Sequence, residues 1–132
     1  MRIYLTHCSA KKDDSLRDSS TEVPPDVLYA GQRIQAFMRK CRQRGVIWAI
    51  FSDKYGIWFP SVSHGWYEKH PGKVTEEEFA ELLRDFDFTL QDYDEIRFYY
   101  HPARFHPLYE KLLSQSSLTD RMKRFTHVEC IE

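Results

Sequence analysis

The chain has 132 residues, 42% of them hydrophobic and 15% aromatic, and its formal net charge is −1 at pH 7. This length suits one domain with its own core, and the many aromatic residues exclude a disordered chain. The near-neutral charge gives no general attraction to nucleic acid or to a membrane surface. Three widely spaced cysteines without a CxxC pair argue against a disulfide framework and against a structural zinc site.

The first residues do not predict a signal peptide, because the apolar run Ile3-Tyr4-Leu5 is too short. No apolar stretch approaches the length of a membrane span. We therefore expect a soluble cytoplasmic protein with no membrane partner.

The first half of the chain predicts a strand, a helix and a second strand. Ile3 to His7 is a short apolar run and predicts the first strand, and the polar residues 9 to 24 predict a long loop. From about Pro25 onward, apolar residues recur at helical spacing until Gly45 offers a stop, which predicts one helix. Val46 to Phe51 is apolar throughout, as expected of a strand buried on both faces.

The second half continues this alternation after a second long loop over residues 52 to 73. Thr75 and Glu78 have the spacing of a capping box, which predicts the start of a helix. The remaining predicted elements are a strand over Glu95 to Tyr100, a helix over Pro107 to Gln115, a further helical turn within residues 118 to 124, and an edge strand over Phe125 to Ile131.

Strands that alternate with helices predict a parallel sheet with right-handed crossovers. The predicted fold is therefore a single α/β domain over residues 1–132. We expect a small three-layer sandwich with a mostly parallel four-stranded sheet, of the Rossmann-like or flavodoxin-like kind.

Polar side chains follow each of the first three predicted strands. The segments are HCSAKK at 7–12, SDKYG at 52–56 and HPARFH at 101–106. Because ligands bind beyond the carboxyl ends of strands in open parallel sheets, these segments predict a ligand site at that edge.

The segment after the first strand suits an anion such as phosphate. Ser9, Lys11 and Lys12 offer a hydroxyl and two ammonium groups beside backbone N–H groups. Cys8 is either a nucleophile or a small buried residue. His7 is badly placed as its base, because adjacent strand residues face opposite sides.

The segment after the second strand also allows two interpretations. Asp53, Lys54 and Tyr55 are either catalytic residues or an exposed ion pair beside a packed ring. Gly56 permits a turn with positive φ. The histidines lack the spacing of a zinc motif, so we expect no metal, and nothing predicts a cofactor.

Residues 33 to 44 carry five basic side chains and no acid. The run is either a solvated helix end whose charges complement the helix dipole or a patch for nucleic acid.

Three segments together, CSAKK at 8–12, LYAG at 28–31 and FSDKYG at 51–56, resemble a prokaryotic domain family of unknown function. The family is more distantly similar to YaaA-type peroxide-stress proteins and to the uracil-DNA-glycosylase-like domain of archaeosine synthase. The resemblance is confined to the first half of the chain and implies a compact α/β sandwich that acts on nucleobases or nucleic acid. The positions that match the family's motifs are Cys8, Ser9, Lys11, Lys12, Tyr29, Gly31, Ser52, Lys54, Tyr55 and Gly56.

Three functional hypotheses follow. The first is an enzyme, an N-glycosidic hydrolase or transferase, acting on a nucleotide, a nucleobase or a phosphorylated small molecule, since such chemistry needs a carboxylate such as Asp53. The others are a non-catalytic module that binds a nucleotide or nucleic acid, and a protein-interaction domain. The catalytic candidates are Asp53, Lys54, Tyr55 and Cys8, and the ligand-binding candidates are Ser9, Lys11, Lys12, Tyr29, Gly31, Ser52, Gly56, His101 and Arg104. The sequence leaves the oligomeric state open.

Overall fold

The computed structural model of the protein describes residues 1–132 and has an α/β architecture with a five-stranded, mostly parallel sheet. The strands are β1 (Arg2–His7), β2 (Trp48–Ser52), β3 (Gly56–Trp58), β4 (Glu95–Tyr99) and β5 (Met122–Phe125). The α-helices are α1 (Pro25–Leu28), α2 (Gln32–Arg44), α3 (Glu76–Leu90) and α4 (Pro107–Gln115). Short 3-10 turns cover Asp14–Leu16, Pro71–Lys73, Pro102–Arg104, Thr119–Arg121 and Val128–Cys130. None of the helices combines the length and the apolar character needed to cross a bilayer.

The strand order is β3-β2-β1-β4-β5, with β1 at the centre. Only β3 is antiparallel to its neighbour, and every other pair of adjacent strands is parallel. The chain leaves β1 to form β2 on one side and later adds β4 and β5 on the other. The strand order therefore reverses at β1, and the carboxyl ends of β1 and β4 flank the position where open α/β sheets bind ligands.

The helices cover both faces of the sheet. Phe37 of α2 packs edge-to-face on Trp48 of β2. Phe86 of α3 and Tyr109 of α4 pack in the same manner on Phe51, three residues further along that strand. Because side chains alternate between the two faces of a strand, α2 covers one face while α3 and α4 cover the other. This agrees with the predicted three layers, and 29 buried residues form one hydrophobic core.

The capping box predicted at the start of α3 is present. The Thr75 hydroxyl accepts the Glu78 backbone N–H, and the Glu78 carboxylate accepts the Thr75 backbone N–H. The strands predicted at Ile3, Val46 and Glu95 are confirmed to within two residues at each end, and the helix over Pro107–Gln115 is confirmed at both ends.

The single helix predicted from Pro25 onward is wrong, because the chain leaves the helical conformation between Leu28 and Gln32. The polar segment after β1 pairs with the backbone here. Lys12 forms a bridge with Tyr29, and the Lys11 carbonyl accepts the Ala30 N–H. This pairing satisfies backbone groups that a continuous helix would otherwise bond internally.

The sheet has five strands, not the predicted four. Gly56 adopts φ 75°, in the left-handed region, and turns the chain back so that β3 pairs with β2. The carboxylate of Asp85 on α3 accepts the Ile57 N–H at 2.9 Å and fixes this hairpin against the helix. A strand of only three residues is too short to show an alternating hydrophobic pattern, so the sequence predicted a loop there.

The final strand was predicted in the wrong place. The edge strand β5 covers Met122–Phe125, whereas the alternating stretch after Phe125 contains the turn Val128–Cys130. Within this stretch only Ile131 returns to the core, where it is fully buried. The helical turn predicted within residues 118 to 124 is confined to Thr119–Arg121.

Replacing Gly56 by alanine tests the hairpin. An alanine would hold φ 75° at a steric cost, and its methyl group would collide with the Asp85 carboxylate. We expect the free energy of unfolding in urea to fall by about 1–3 kcal/mol. The control is Gly65→Ala, whose added methyl group has no neighbour within 4 Å. Equal unfolding free energies for the two variants would contradict this account of the turn.

Candidate functional site

A cavity of about 420 Å³ opens where β1, β2 and β4 end, and we call it the crevice. Its lining residues are His7, Cys8, Ser9, Ala10, Arg33, Asp53, Lys69, His70, Pro71, His101, Arg104, His106 and Tyr109. A smaller cavity of about 350 Å³ adjoins it at Ser9 and Arg33 and adds Lys11 and Gly31 to the wall. The site predicted at the carboxyl edge of the sheet thus coincides with a cavity of a size that holds small molecules.

A second large cavity, of about 510 Å³, meets the crevice at Asp53 and Lys69. We call it the acidic cleft, because it holds four acidic side chains besides Asp53. The remaining lining residues are Lys54, Tyr55, Gly56, Glu68, Glu78, Glu81, Leu82 and Asp85.

Asp53 lies on the wall that the two cavities share. Its side chain is buried, with 3% of the residue exposed, and Oδ1 has no hydrogen-bond partner. Burial raises the pKa of this carboxyl group, while the Cys8 thiol and the Lys12 ammonium act in the opposite direction. A buried carboxyl group with a raised pKa beside a cavity is a candidate for proton transfer to or from a ligand.

Three histidines of the crevice each precede a proline and cap the turn that follows. The pairs are His70-Pro71, His101-Pro102 and His106-Pro107. In each case Nδ1 accepts the backbone N–H two residues further on, at 2.9 to 3.1 Å. A neutral imidazole whose Nδ1 accepts a hydrogen bond carries its proton on Nε2. Each of these rings therefore keeps an N–H group that can donate to a ligand.

Permanent positive charge completes the lining. Arg33 begins the basic run of α2 and Arg104 follows β4, and both border the crevice and the smaller cavity. Lys69 lies at the junction with the acidic cleft, where its Nζ donates to Glu78 at 2.6 Å. The crevice is thus lined mainly by donors, with Asp53 as its single carboxylate.

A chain of buried hydroxyl groups supports the turn after β2. The Ser52 hydroxyl accepts the N–H groups of Lys54 and Tyr55 at 3.1 and 3.0 Å and donates to the Tyr67 hydroxyl at 3.1 Å. The Tyr67 and Tyr29 hydroxyls lie 2.6 Å apart. Burial raises the pKa of both phenols, so they remain protonated. Tyr29 and Ser52, predicted to bind ligand, are fully buried beneath the site and hold its shape.

Cys8 is buried, and its Sγ lies 3.4 Å from the Tyr109 hydroxyl. Burial and the neighbouring Asp53 raise the pKa of the thiol to about 11. The thiolate is the nucleophilic form, so this environment favours the small buried residue over the nucleophile.

His7 stands apart from the other histidines. Its Nδ1 donates to the Cys8 carbonyl at 2.8 Å, and its ring stacks on Tyr109 at 4.4 Å. Burial lowers its pKa and keeps the ring neutral. With the proton on Nδ1, Nε2 is free to accept a hydrogen bond.

The remaining predicted residues border other parts of the site. Lys54, Tyr55 and Gly56 line the acidic cleft rather than the crevice. Tyr55 stacks on His64 at 3.9 Å and donates to the Gly65 carbonyl. The Lys12 ammonium sits 4.5 Å over the Tyr67 ring.

Eight residues of the crevice were not among the predicted site residues. They are His7, Ala10, Arg33, Lys69, His70, Pro71, His106 and Tyr109. The repeated His-Pro dipeptide was the available signal for His70 and His106. Arg33 begins the basic run at residues 33 to 44, which was noted but not assigned to this site, and Lys69 and Tyr109 had no local signal.

No family model, no curated protein and no solved structure matches this chain. The fold and the site define an α/β protein whose mostly parallel sheet ends, at its carboxyl edge, in a donor-lined crevice beside an acidic cleft.

Replacing Ser52 by alanine tests the hydroxyl chain. The change removes the acceptor of two backbone N–H groups and leaves them without that partner. We expect the free energy of unfolding to fall by about 1–3 kcal/mol. The control Ser63→Ala alters an exposed serine, and its free energy of unfolding, measured by chemical denaturation, should stay near that of the wild type. A Ser52→Ala protein as stable as the control would contradict this role.

Replacing Asp53 by asparagine tests the burial of its charge. A carboxyl group whose pKa is higher in the folded than in the unfolded state destabilises the fold as pH rises through the folded pKa. We expect Asp53→Asn to melt above the wild type at pH 7, with a difference that shrinks as pH falls toward 4. The control Asp92→Asn, at an exposed position, should show no such trend. A lower melting temperature for Asp53→Asn at pH 7 would contradict the raised pKa.

Proposed function

We propose that the protein is an enzyme that binds a nucleotide or another phosphorylated small molecule in the crevice and acts on it through Asp53. The observation that carries this proposal is the pairing of one buried, unpartnered carboxylate oxygen with a wall of hydrogen-bond donors. Such a wall suits an anion, and such a carboxylate suits proton transfer.

The anion site rests on geometry. The two guanidinium groups of Arg33 and Arg104 suit phosphate through paired hydrogen bonds, and Ser9 lies beside them with its hydroxyl donating to the Lys11 carbonyl at 2.8 Å. The histidine Nε2–H groups add donors that stay in place through their Nδ1 caps. Because these turns fix the rings before a ligand arrives, binding orders few further groups.

Asp53 is the side chain that we propose to take part in the reaction. Cleavage of an N-glycosidic bond develops positive charge on the sugar, and a nearby carboxylate stabilises that charge or activates water. Asp53 supplies this group, and Lys69 keeps an ammonium close to it. We therefore propose an N-glycosidic hydrolase or transferase, in agreement with the nucleobase chemistry implied by the family resemblance.

We also propose a specific fold class and a cellular location. The four parallel strands follow the order of flavodoxin-like sheets, with the reversal at β1, and we propose that the fold belongs to that class. We also propose a cytoplasmic location, because all three cysteines are free.

A thermal-shift screen tests the binding step. Nucleotides, nucleosides, nucleobases, sugar phosphates and short oligonucleotides would be compared on the wild type and on an Arg33→Ala, Arg104→Ala variant. A ligand at 100 times its Kd stabilises the folded state by about 2.7 kcal/mol. We expect such a shift for a phosphorylated small molecule and its loss in this variant. The control is Arg39→Ala, Arg44→Ala, which removes the same charge from exposed positions of α2 and should keep the shift.

The chemistry is tested on the ligand that this screen identifies. Asp53→Asn should retain the thermal shift but lose at least 100-fold in turnover, roughly the contribution of a general acid or base. A shift confined to oligonucleotides and lost in the Arg39, Arg44 control would instead identify a nucleic-acid module. No shift with any small molecule would overturn the proposal.

A further inference from the structure

We propose that the ligand spans both cavities, with its phosphate in the crevice and a hydroxyl- or amine-bearing end in the acidic cleft. This rests on the proposed function and names its substrate class: a monophosphate, either a sugar phosphate or a nucleoside monophosphate, with no second anionic group at its far end.

The two cavities form one continuous surface. Asp53 and Lys69 line both of them, so a molecule held by its phosphate in the crevice can extend past Asp53 into the acidic cleft. With volumes of about 420 and 510 Å³, the cavities together have room for a nucleoside monophosphate.

The lining becomes predominantly acidic along this surface, although Lys54 and Lys69 also border the cleft. Beyond Asp53, the cleft presents Glu68, Glu78, Glu81 and Asp85, which accept hydrogen bonds and cannot donate them when ionised. Glu78 is paired with Lys69, Asp85 accepts the Ile57 N–H and Glu68 forms an exposed ion pair with Arg17 at 3.7 Å, whereas Glu81 is exposed on the wall. The far end of the ligand must therefore supply O–H or N–H donors.

Asp53 gives an independent indication that a ligand passes this point. Its Oδ1 is buried without a hydrogen-bond partner, on the wall between the cavities. A buried acceptor without a partner destabilises the fold, and a donor from the ligand would relieve this cost. A hydroxyl or amino group placed between the phosphate and the far end would lie against the Asp53 side chain, where a rotation of the carboxyl group would bring Oδ1 to that donor.

The same charges exclude ligands with two anionic ends. A second phosphate in the cleft would face several carboxylates, and such like-charge contacts disfavour binding strongly. The site should therefore bind adenosine 5′-monophosphate in preference to adenosine 3′,5′-bisphosphate, although the second compound has more charge for the arginines.

Titration calorimetry with four probes tests this orientation. The probes are inorganic phosphate, ribose 5-phosphate, adenosine 5′-monophosphate and adenosine 3′,5′-bisphosphate. The test variant Glu68→Gln, Glu81→Gln removes two carboxylates from the cleft. The matched control Glu76→Gln, Glu77→Gln removes two exposed carboxylates from the first turn of α3, outside the cleft.

We expect the test variant to bind ribose 5-phosphate or adenosine 5′-monophosphate about tenfold more weakly than the wild type. This is the effect of losing one charge-assisted hydrogen bond. Inorganic phosphate should bind as before, and the bisphosphate should bind more tightly than to the wild type. The control variant should change none of these affinities.

Failure of this inference is distinguishable from failure of the proposed function. If both monophosphates bind the test variant as they bind the wild type, yet lose affinity in Arg33→Ala, Arg104→Ala, the phosphate site stands and the two-ended orientation is wrong. If none of the four probes binds the wild type, the orientation and the proposed phosphate site both fall.

Discussion

A buried tyrosine hydroxyl needs hydrogen-bond partners, and the Tyr67 hydroxyl finds them on two distant segments. It meets Ser52 at the end of β2 and Tyr29 at the break between α1 and α2. The loop that carries Tyr67 also carries Lys69 and His70, so the same contact sets where that loop meets the crevice. The turn after β2, the helix break and the loop before α3 are thereby held in one arrangement. The fourth side of the crevice, after β4, depends instead on its own local caps.

The crevice combines local and tertiary means of fixing charged groups. Three of its histidines, His70, His101 and His106, are held by local turns in which Nδ1 accepts the backbone N–H two residues further on. Asp53, in contrast, lies in a buried place that only the complete sheet creates, and its burial works against stability at neutral pH. Proteins retain unfavourable buried groups of this kind mainly at sites of function. The charge distribution around Asp53 is therefore more informative than any one side chain in the lining.

Some elements of the fold are determined by neighbouring residues in the sequence, and others by contacts between distant parts of the chain. Apolar runs and a capping box are local, and they located β1, β2, β4, α3 and α4. The rule that parallel strands end at a common edge then brought Cys8, Ser9, Asp53, His101 and Arg104 together, as predicted. The break between α1 and α2 was not predicted, because it depends on the pairing of Lys12 with Tyr29 across the fold. The strand β3 was not predicted either, because a three-residue strand depends on Asp85 of a later helix. Arg33 and Lys69 were missed for the same reason, since only tertiary packing brings them to the crevice.

The edges of the sheet have a consequence for behaviour in concentrated solution. An open edge strand invites another chain to add to it, and this is a common route to aggregation. Here one edge is β3, with only three residues, and the other is β5, which carries Lys123 and Arg124 as exposed side chains. A short edge offers few backbone groups to a neighbour, and a strand added to β5 would have to desolvate Lys123 and Arg124 together with their partners Glu95 and Glu110. The protein should therefore stay free of sheet-mediated fibres at concentrations where a longer, uncharged edge would nucleate them.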